Sequence, residues 1–281
     1  MNNRLKVALT HDVDRTKKTY QHFTHFFKAL GKLDFKDALY QITSFNEDMQ
    51  VYWSFDEILE IENKFNVKST FFFLIESIPF NLFRISNWKL SLGRFDINEP
   101  RIISMINYLD ENGWEVGLHG SYRSFNDFNL LNKEKSILEN ILKHPVIGIR
   151  QHYLNLNENT WAFQKQTGFL YDSSWGYNRK IGFKDNRVRP FKPFSDNFVV
   201  FPLAVMDFCY MNTPDRKKVL MEIIKKCKEE NGILVVNWHS NNFDEHDYPD
   251  FSKAYKEVIQ TCISEDAVFN TLSFFYQNDK I

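Results

Sequence analysis

Leu5-Lys-Val-Ala-Leu-Thr-His-Asp-Val-Asp14 is an apolar, β-type run that ends abruptly in an imidazole and two carboxylates. The same pattern recurs along the chain. Candidate strands lie at Leu5–Thr10, Ser69–Leu74, Glu115–Leu118, Val146–Ile149, Phe169–Tyr171, Phe198–Phe201 and Ile233–Asn237, and a short run at Ala267–Leu272 either closes the sheet or lies outside it. Between them, apolar residues at helical spacing predict helices over Phe55–Phe65, Arg101–Asn112, Lys133–Leu142, Thr160–Thr167, Arg216–Glu230 and Phe251–Ile263. Strands alternating with helices imply βα units and a mostly parallel sheet. Polar clusters follow the apolar runs: His119 after the third, Arg150-Gln-His-Tyr153 after the fourth, Asp172-Ser-Ser-Trp175 after the fifth, Asn237-Trp-His239 after the seventh. In such folds the C-terminal strand ends carry the site, so this convergence points to an enzyme.

Composition narrows the class. With 281 residues, 43% hydrophobic and 25% charged, the chain can bury a full core, and disorder is excluded as its main state. A formal charge of −1 offers no global basic field for nucleic acid or anionic lipid. Cys209, Cys227 and Cys262 are odd in number and irregularly spaced, which suits a reducing compartment. The first residues read as a strand rather than a signal peptide, and no apolar run is long enough for a membrane span. The expected location is cytoplasmic. No glycine-rich phosphate loop occurs, so a nucleotide cofactor has no support. Two connections, roughly Arg15–Tyr52 and Glu76–Pro100, far exceed the usual ~2–6 residues of βα loops and read as cleft walls, lids or surface decoration.

Asp12 and Asp14 are two apart on a strand, so both carboxylates share a face. Two anions that close repel unless a cation or a proton separates their roles. A metal on one and a water on the other meets that need, whereas a strand-end Asp-x-Asp that only caps a turn is the plainer alternative. His11, by alternation, points away from Asp12 into packing. His22, His25, His144 and His246 have no ligand-like neighbours in sequence and read as surface residues.

Taken in order, these motifs resemble the polysaccharide deacetylases of the NodB-homology family (carbohydrate esterase family four), over nearly the whole chain. Thr10-His-Asp-Val-Asp14 looks like the family's first motif, which implies Asp12 as catalytic base and Asp14 as metal ligand. Ser69-Thr-Phe-Phe-Phe73 is similar to its second-strand run, and His119-Gly-Ser-Tyr-Arg123 to its His-x-x-x-His metal motif. Arg150-Gln-His-Tyr153 resembles the motif whose Arg orients the base and whose Tyr amide helps hold the oxyanion. Asp172-Ser-Ser-Trp175 is similar to the aspartate–tryptophan motif, and Leu234-Val-Val-Asn-Trp-His239 to the motif that supplies the catalytic acid, His239. The resemblance implies a distorted (β/α)7-type barrel, one domain over 1–281, that hydrolyses the acetyl group of an acetylated amino sugar with a divalent metal, zinc foremost. Asp172 is the first candidate to pair with His239 and Asp207 the second. Trp175 and Trp238 are candidates for a sugar platform or for the core.

One position departs from the family pattern: Arg123 stands where the second metal histidine belongs, and a guanidinium cannot ligate a cation. Three readings are open. His152 supplies the missing imidazole, giving Asp14, His119 and His152; or Asp14 and His119 hold the metal weakly with help from waters, Ser121 or Ser124; or Arg123 replaces the metal's charge. A substrate made inside the cell for a surface polysaccharide fits the predicted location. The rivals are a same-fold hydrolase of a non-sugar amide and a catalytically degenerate carbohydrate-binding protein.

Overall fold

A computed structural model describes residues 4–43 and 51–279. Eight strands, β1 (Lys6–Val13), β2 (Thr70–Leu74), β3 (Glu115–Gly120), β4 (Gly148–Gln151), β5 (Tyr171–Asp172), β6 (Val199–Val200), β7 (Leu203–Met206) and β8 (Ile233–Asn237), form one parallel sheet in the order β6-β5-β4-β3-β2-β1-β8-β7. A short ninth strand, β9 (Val268–Phe269), pairs with the start of β1. The helices are α1 (Gln21–Gly31), α2 (Phe35–Thr43), α3 (Phe55–Phe65), α4 (Ile85–Ser91), α5 (Pro100–Glu111), α6 (Phe128–Leu142), α7 (Thr160–Gln166), α8 (Asp207–Met211), α9 (Arg216–Glu229), α10 (Phe251–Ser264) and α11 (Leu272–Asn278). The sheet curls into an open, distorted (β/α) barrel flanked by helices, as the sequence implies. It has one more principal strand than expected.

That extra strand is β7. The sequence reads as a single strand over 198–201, but Pro202 lacks the N–H a ladder needs and splits the apolar run between β6 and β7. The uncertain run at Ala267–Leu272 also divides: Val268–Phe269 joins the sheet and Leu272 opens α11, where the Thr271 side chain accepts from the Phe274 N–H. α6 begins at Phe128 rather than Lys133 because Asp127 caps it, accepting from Leu130 N. The long segment after β1 contains α1 and α2, with positions 44–50 outside the described residues. The one after β2 contains α4.

Strand alternation builds two cores. On the concave side Ala8, Phe72, Tyr171, Val199, Leu203, Ile233 and Val235 fill the barrel, and Leu272 and Phe275 of α11 join them. On the convex side Val7, Leu9, Phe71, Phe73, Leu118, Ile149 and Val236 pack on the helices. His11 takes that outer side, as alternation predicts: Nε2 lies 2.9 Å from Glu62 Oε1 and Nδ1 2.8 Å from the Trp238 carbonyl. At the N-terminal end, half-buried Glu115 accepts from the Tyr171 hydroxyl, the Thr70 hydroxyl and the Ser273 N–H, so one carboxylate ties β2, β5 and α11 together. Tyr171 reaches across β4 because Gly148 has no side chain: a Cβ there would lie 2.1 Å from the Tyr171 hydroxyl. Gly148→Ala is therefore expected to destabilise by about 2 kcal/mol or more through overpacking. A lower denaturation midpoint in urea would show it, and an unchanged midpoint would contradict the packing described.

Candidate active site

The C-terminal ends of β1, β3, β4 and β8 bring Asp12, Asp14, His119, His152 and His239 to one cleft of about 760 Å³, with Arg150 buried beneath it. Asp12 sits at the centre. Arg150 Nη1 donates to Asp12 Oδ1 at 2.9 Å, to the Thr10 hydroxyl at 2.7 Å and to Asn237 Oδ1 at 2.8 Å. Its Nε and Nη2 donate to the Ser173 carbonyl and hydroxyl. Asn237 Nδ2 in turn donates to Asp12 Oδ2 at 2.8 Å. Burial opposes ionisation of Asp12, but Arg150 first, then His119 and His239, outweigh it, and its pKa is lowered.

His239 faces Asp12 from β8, with Nε2 4.0 Å from Asp12 Oδ2. Its partner is Asp207: the His239 N–H donates to Asp207 Oδ2 at 2.7 Å, and Nδ1 lies 3.0 Å from both carboxylate oxygens. Burial alone would lower the pKa of His239. Asp207, with Asp12 and Asp14 behind it, instead raises it to about 10, so the imidazolium persists at neutral pH.

Three expected placements are corrected. Asp172 does not reach His239. It faces the helix layer from β5, accepting from Ser174, Gln164 and Trp161. Trp238 lies between Asn237 and His239, just past β8, and by alternation points outward, fully buried against Tyr210, Phe251 and Tyr255. Trp175 packs on Trp161 and Phe191 and does not line the cleft. Tyr153 does line it, half-exposed. Tyr153 and Leu154 both take left-handed backbone, with φ of 58° and 52°, a strained turn for two non-glycine residues.

Asp14, His119 and His152 each offer a ligand atom, all within 4.8 Å of one another. The set fits a divalent cation on four observations. Asp14 Oδ1 is buried without a hydrogen-bond partner among the described residues. His119 Nδ1 lies 2.9 Å from the Arg150 carbonyl, which makes it the protonated nitrogen and leaves Nε2 as a donor atom. Glu76 Oε2 stands 3.8 Å from His152 Nδ1, beyond hydrogen-bond distance but on the side from which a carboxylate orients a ligand histidine. Burial would lower the pKa of His152, yet Asp14 and Glu76 raise it, an anionic setting that favours a cation as much as a proton. Arg123, by contrast, is exposed and does not line the cleft.

Three contributors, Asn237, Glu76 and Arg94, have no role in the sequence reading, and a fourth, Asp207, stands there only as the second candidate for His239. Asn237 shares the face of His239 by the two-residue rule and was legible in that sense. Asp207 follows β7 directly, and without that strand the chain gives no reason to rank it above Asp172. Glu76 lies two residues past β2, at the head of a long insertion. Arg94 comes from the same insertion: Nη1 donates to the Asp14 carbonyl at 3.0 Å, and Nη2 lies 3.4 Å from His152 Nε2. The turn that delivers it needs Gly93, at φ +72°, where a Cβ would lie 2.3 Å from the Thr19 hydroxyl. Two histidines read as surface residues also differ: His22 is buried, and His25 lines the cleft 3.6 Å from Asp247.

Family profiles and curated protein sequences give no match to this chain. Solved structures do. A Mycobacterium smegmatis protein assigned as a polysaccharide deacetylase superposes with a TM-score of 0.61 at 17% identity, over 99% of this chain and 90% of the other. One from Pseudomonas aeruginosa PAO1 with the same assignment gives 0.61 at 15%, over 98% and 91%. A mutant of a CE4 family pseudoenzyme with restored enzymatic activity gives 0.50 at 12%, over 98% and 69%. The chain has the polysaccharide deacetylase fold.

The cleft wall built by α1 and α2 is anchored by a buried ion pair. Lys18 Nζ lies 2.6 Å from Asp247 Oδ2, and Gln41 and Tyr52 also donate to Asp247. Burial raises the pKa of Asp247, but Lys18 and His25 prevail and hold it below its ordinary value. Its stabilisation is thus complete above the unfolded carboxyl pKa, about 4, and is lost as pH falls through the lower folded value. Asp247→Asn strands the Lys18 charge and should cost about 3 kcal/mol at pH 7. In acid, where the parent carboxyl is protonated as well, the difference should narrow. Denaturant titrations at both pH values measure it.

Proposed function

We propose that the chain is a metal-dependent hydrolase of the polysaccharide deacetylase family that removes an acetyl group from an acetylated amino sugar. The carrying observation is the placement of Asp12. It is held ionised by Arg150 and Asn237, with the His239 imidazolium on one side and the Asp14–His119–His152 cluster on the other. A divalent cation held by these three residues, zinc by preference, would supply Lewis acidity and an activated water. Asp12 accepts the proton of the attacking water, since Arg150 and Asn237 occupy one lone pair on each of its oxygens and keep it anionic. His239 donates through Nε2 to the leaving nitrogen, and Asp207 holds the ring for that transfer. Tyr153, in its left-handed turn at the cleft wall, presents its backbone to the acyl oxygen. We read residues 1–281 as one catalytic domain.

Cys209, Cys227 and Cys262 are all free and buried, the state a reducing compartment preserves. We therefore favour the cytoplasm and a substrate that is an intermediate of surface polysaccharide synthesis. Among the described residues no helix is long and apolar enough to cross a membrane. One observation favours a site without metal: the Arg94 guanidinium stands beside His152 and Asp14, where it can supply positive charge itself.

Calorimetric titration separates these readings. Zinc should bind the wild-type chain at one site, and His152→Ala should weaken it at least tenfold while Arg123→Ala leaves it unchanged. No zinc binding would transfer the electrostatic role to Arg94. On a panel of N-acetylhexosamines, acetate release should fall by about 10²–10⁴ in Asp12→Asn and in His239→Ala. Release from non-sugar amides alone would overturn the substrate. Asp207 raises the pKa of His239, so Asp207→Asn should move the alkaline limb of the pH–rate profile to lower pH. An unmoved limb would mean that another group is the acid.

A further inference from the structure

The hairpin of α1 and α2 is amphipathic the wrong way round for a surface element. Its buried side carries Gln21, His22, Ala29, Ala38 and Gln41. Its outer side carries Phe23, Phe27 and Leu30 on α1 and Phe35, Leu39 and Ile42 on α2, each a set spaced i, i+4, i+7, with Leu33 at the turn between them. Leu33 is 75% exposed and Phe27 67%. A surface helix ordinarily turns such a stripe toward the core, and an apolar face this continuous marks a contact surface. A second apolar knob, Phe80, Leu82 and Phe83, rises from the insertion after the neighbouring strand, with Phe83 93% exposed. The two insertions are joined: Arg15 donates to the Leu92 carbonyl, and Gly93 packs on Thr19. The cleft shares the same helix, because Gln21, Thr24 and His25 of α1 line it.

We propose that this face docks on a lipid bilayer with anionic headgroups, seating the cleft at the membrane surface. Charge complementarity selects that occupant. Exposed Lys28, Lys32 and Lys36 flank the apolar stripes, while of the two acids in the hairpin Asp37 is paired with His246 at 2.9 Å, leaving Asp34. Interfacial helices combine this arrangement of apolar face and lysine border, with the charges local rather than global. Exposure argues the same way: Phe27, Leu33 and Phe35 in one patch and Phe83 in the other leave about two thirds or more of their surface bare, and a fluid surface can meet two separate patches at once. The proposal is independent of the hydrolase reading, because its measurement requires no turnover.

The test is co-sedimentation of the full chain with vesicles of equal phosphatidylglycerol and phosphatidylcholine, against vesicles of phosphatidylcholine alone. The chain should partition to the anionic vesicles, less so at high salt. The double variant Phe27→Ser/Leu39→Ser should lose at least tenfold in partition with its circular dichroism unchanged. The triple variant Lys28→Gln/Lys32→Gln/Lys36→Gln, which leaves the apolar stripe intact, should lose most of the preference for anionic lipid. Absence of vesicle binding would overturn the proposal, as would binding of both variants equal to that of the parent chain. So would a dimer, seen by light scattering, that Phe27→Ser/Leu39→Ser dissociates while vesicles attract neither form.

Discussion

Two carboxylates on one face of β1, both largely removed from water, are the constraint around which the rest of the barrel is arranged. Asp12 and Asp14 repel each other, and burial penalises the ionised form of each. Both nevertheless have lowered pKa values because four cationic or polarisable partners converge from other strands. Arg150 comes up from β4, His119 from β3, His152 from just past β4 and His239 from just past β8. A buried guanidinium that spends its donors on Asp12, Thr10, Asn237 and Ser173 locks three strand ends and the segment after β5 into one register. The charge distribution of the site and the closure of the barrel top are thus one interaction seen from two sides.

The two acids are set apart by their surroundings. Asp12 has both oxygens engaged by donors that cannot leave, which holds it as a fixed anion. Asp14 has an oxygen without a hydrogen-bond partner among the described residues and two imidazoles facing it, an arrangement that calls for a cation. Arg94 complicates that picture usefully. An insertion has placed a permanent positive charge at the edge of the cluster, so the electrostatic demand of Asp14 can be met in more than one way.

The structures sharing this fold differ from it at more than four positions in five, which alternation explains. Barrel filling and helix packing require apolar residues of roughly the right volume at every second position, and many sequences satisfy that. Chemistry depends on a handful of identities at strand ends. The CE4 pseudoenzyme among the structures of this fold illustrates how loosely fold and activity are coupled. The insertions after β1 and β2 add a third layer, a cleft wall tied down by Lys18 and Asp247 whose outer surface is apolar.

Strand order aside, the parallel α/β architecture is legible from the chain in its apolar runs, helical spacing and polar residues at run ends, the family resemblance adds the barrel, and the two-residue period places Asp12 with Asp14 and turns His11 away. The same period extended just past β8 puts Asn237 on the face of His239 and turns Trp238 away from it. What sequence could not decide were contacts between elements far apart in the chain. Asp172 and Asp207 both follow strands, and only the curvature of the sheet sets β7 beside β8, giving His239 to Asp207 while Asp172 faces the helices. Arg94 and Glu76 lie in an insertion whose path is set by packing rather than by period. The outward apolar face of α1 and α2 likewise became visible only in three dimensions, because a stripe read from sequence says that a face is apolar and not which way it points.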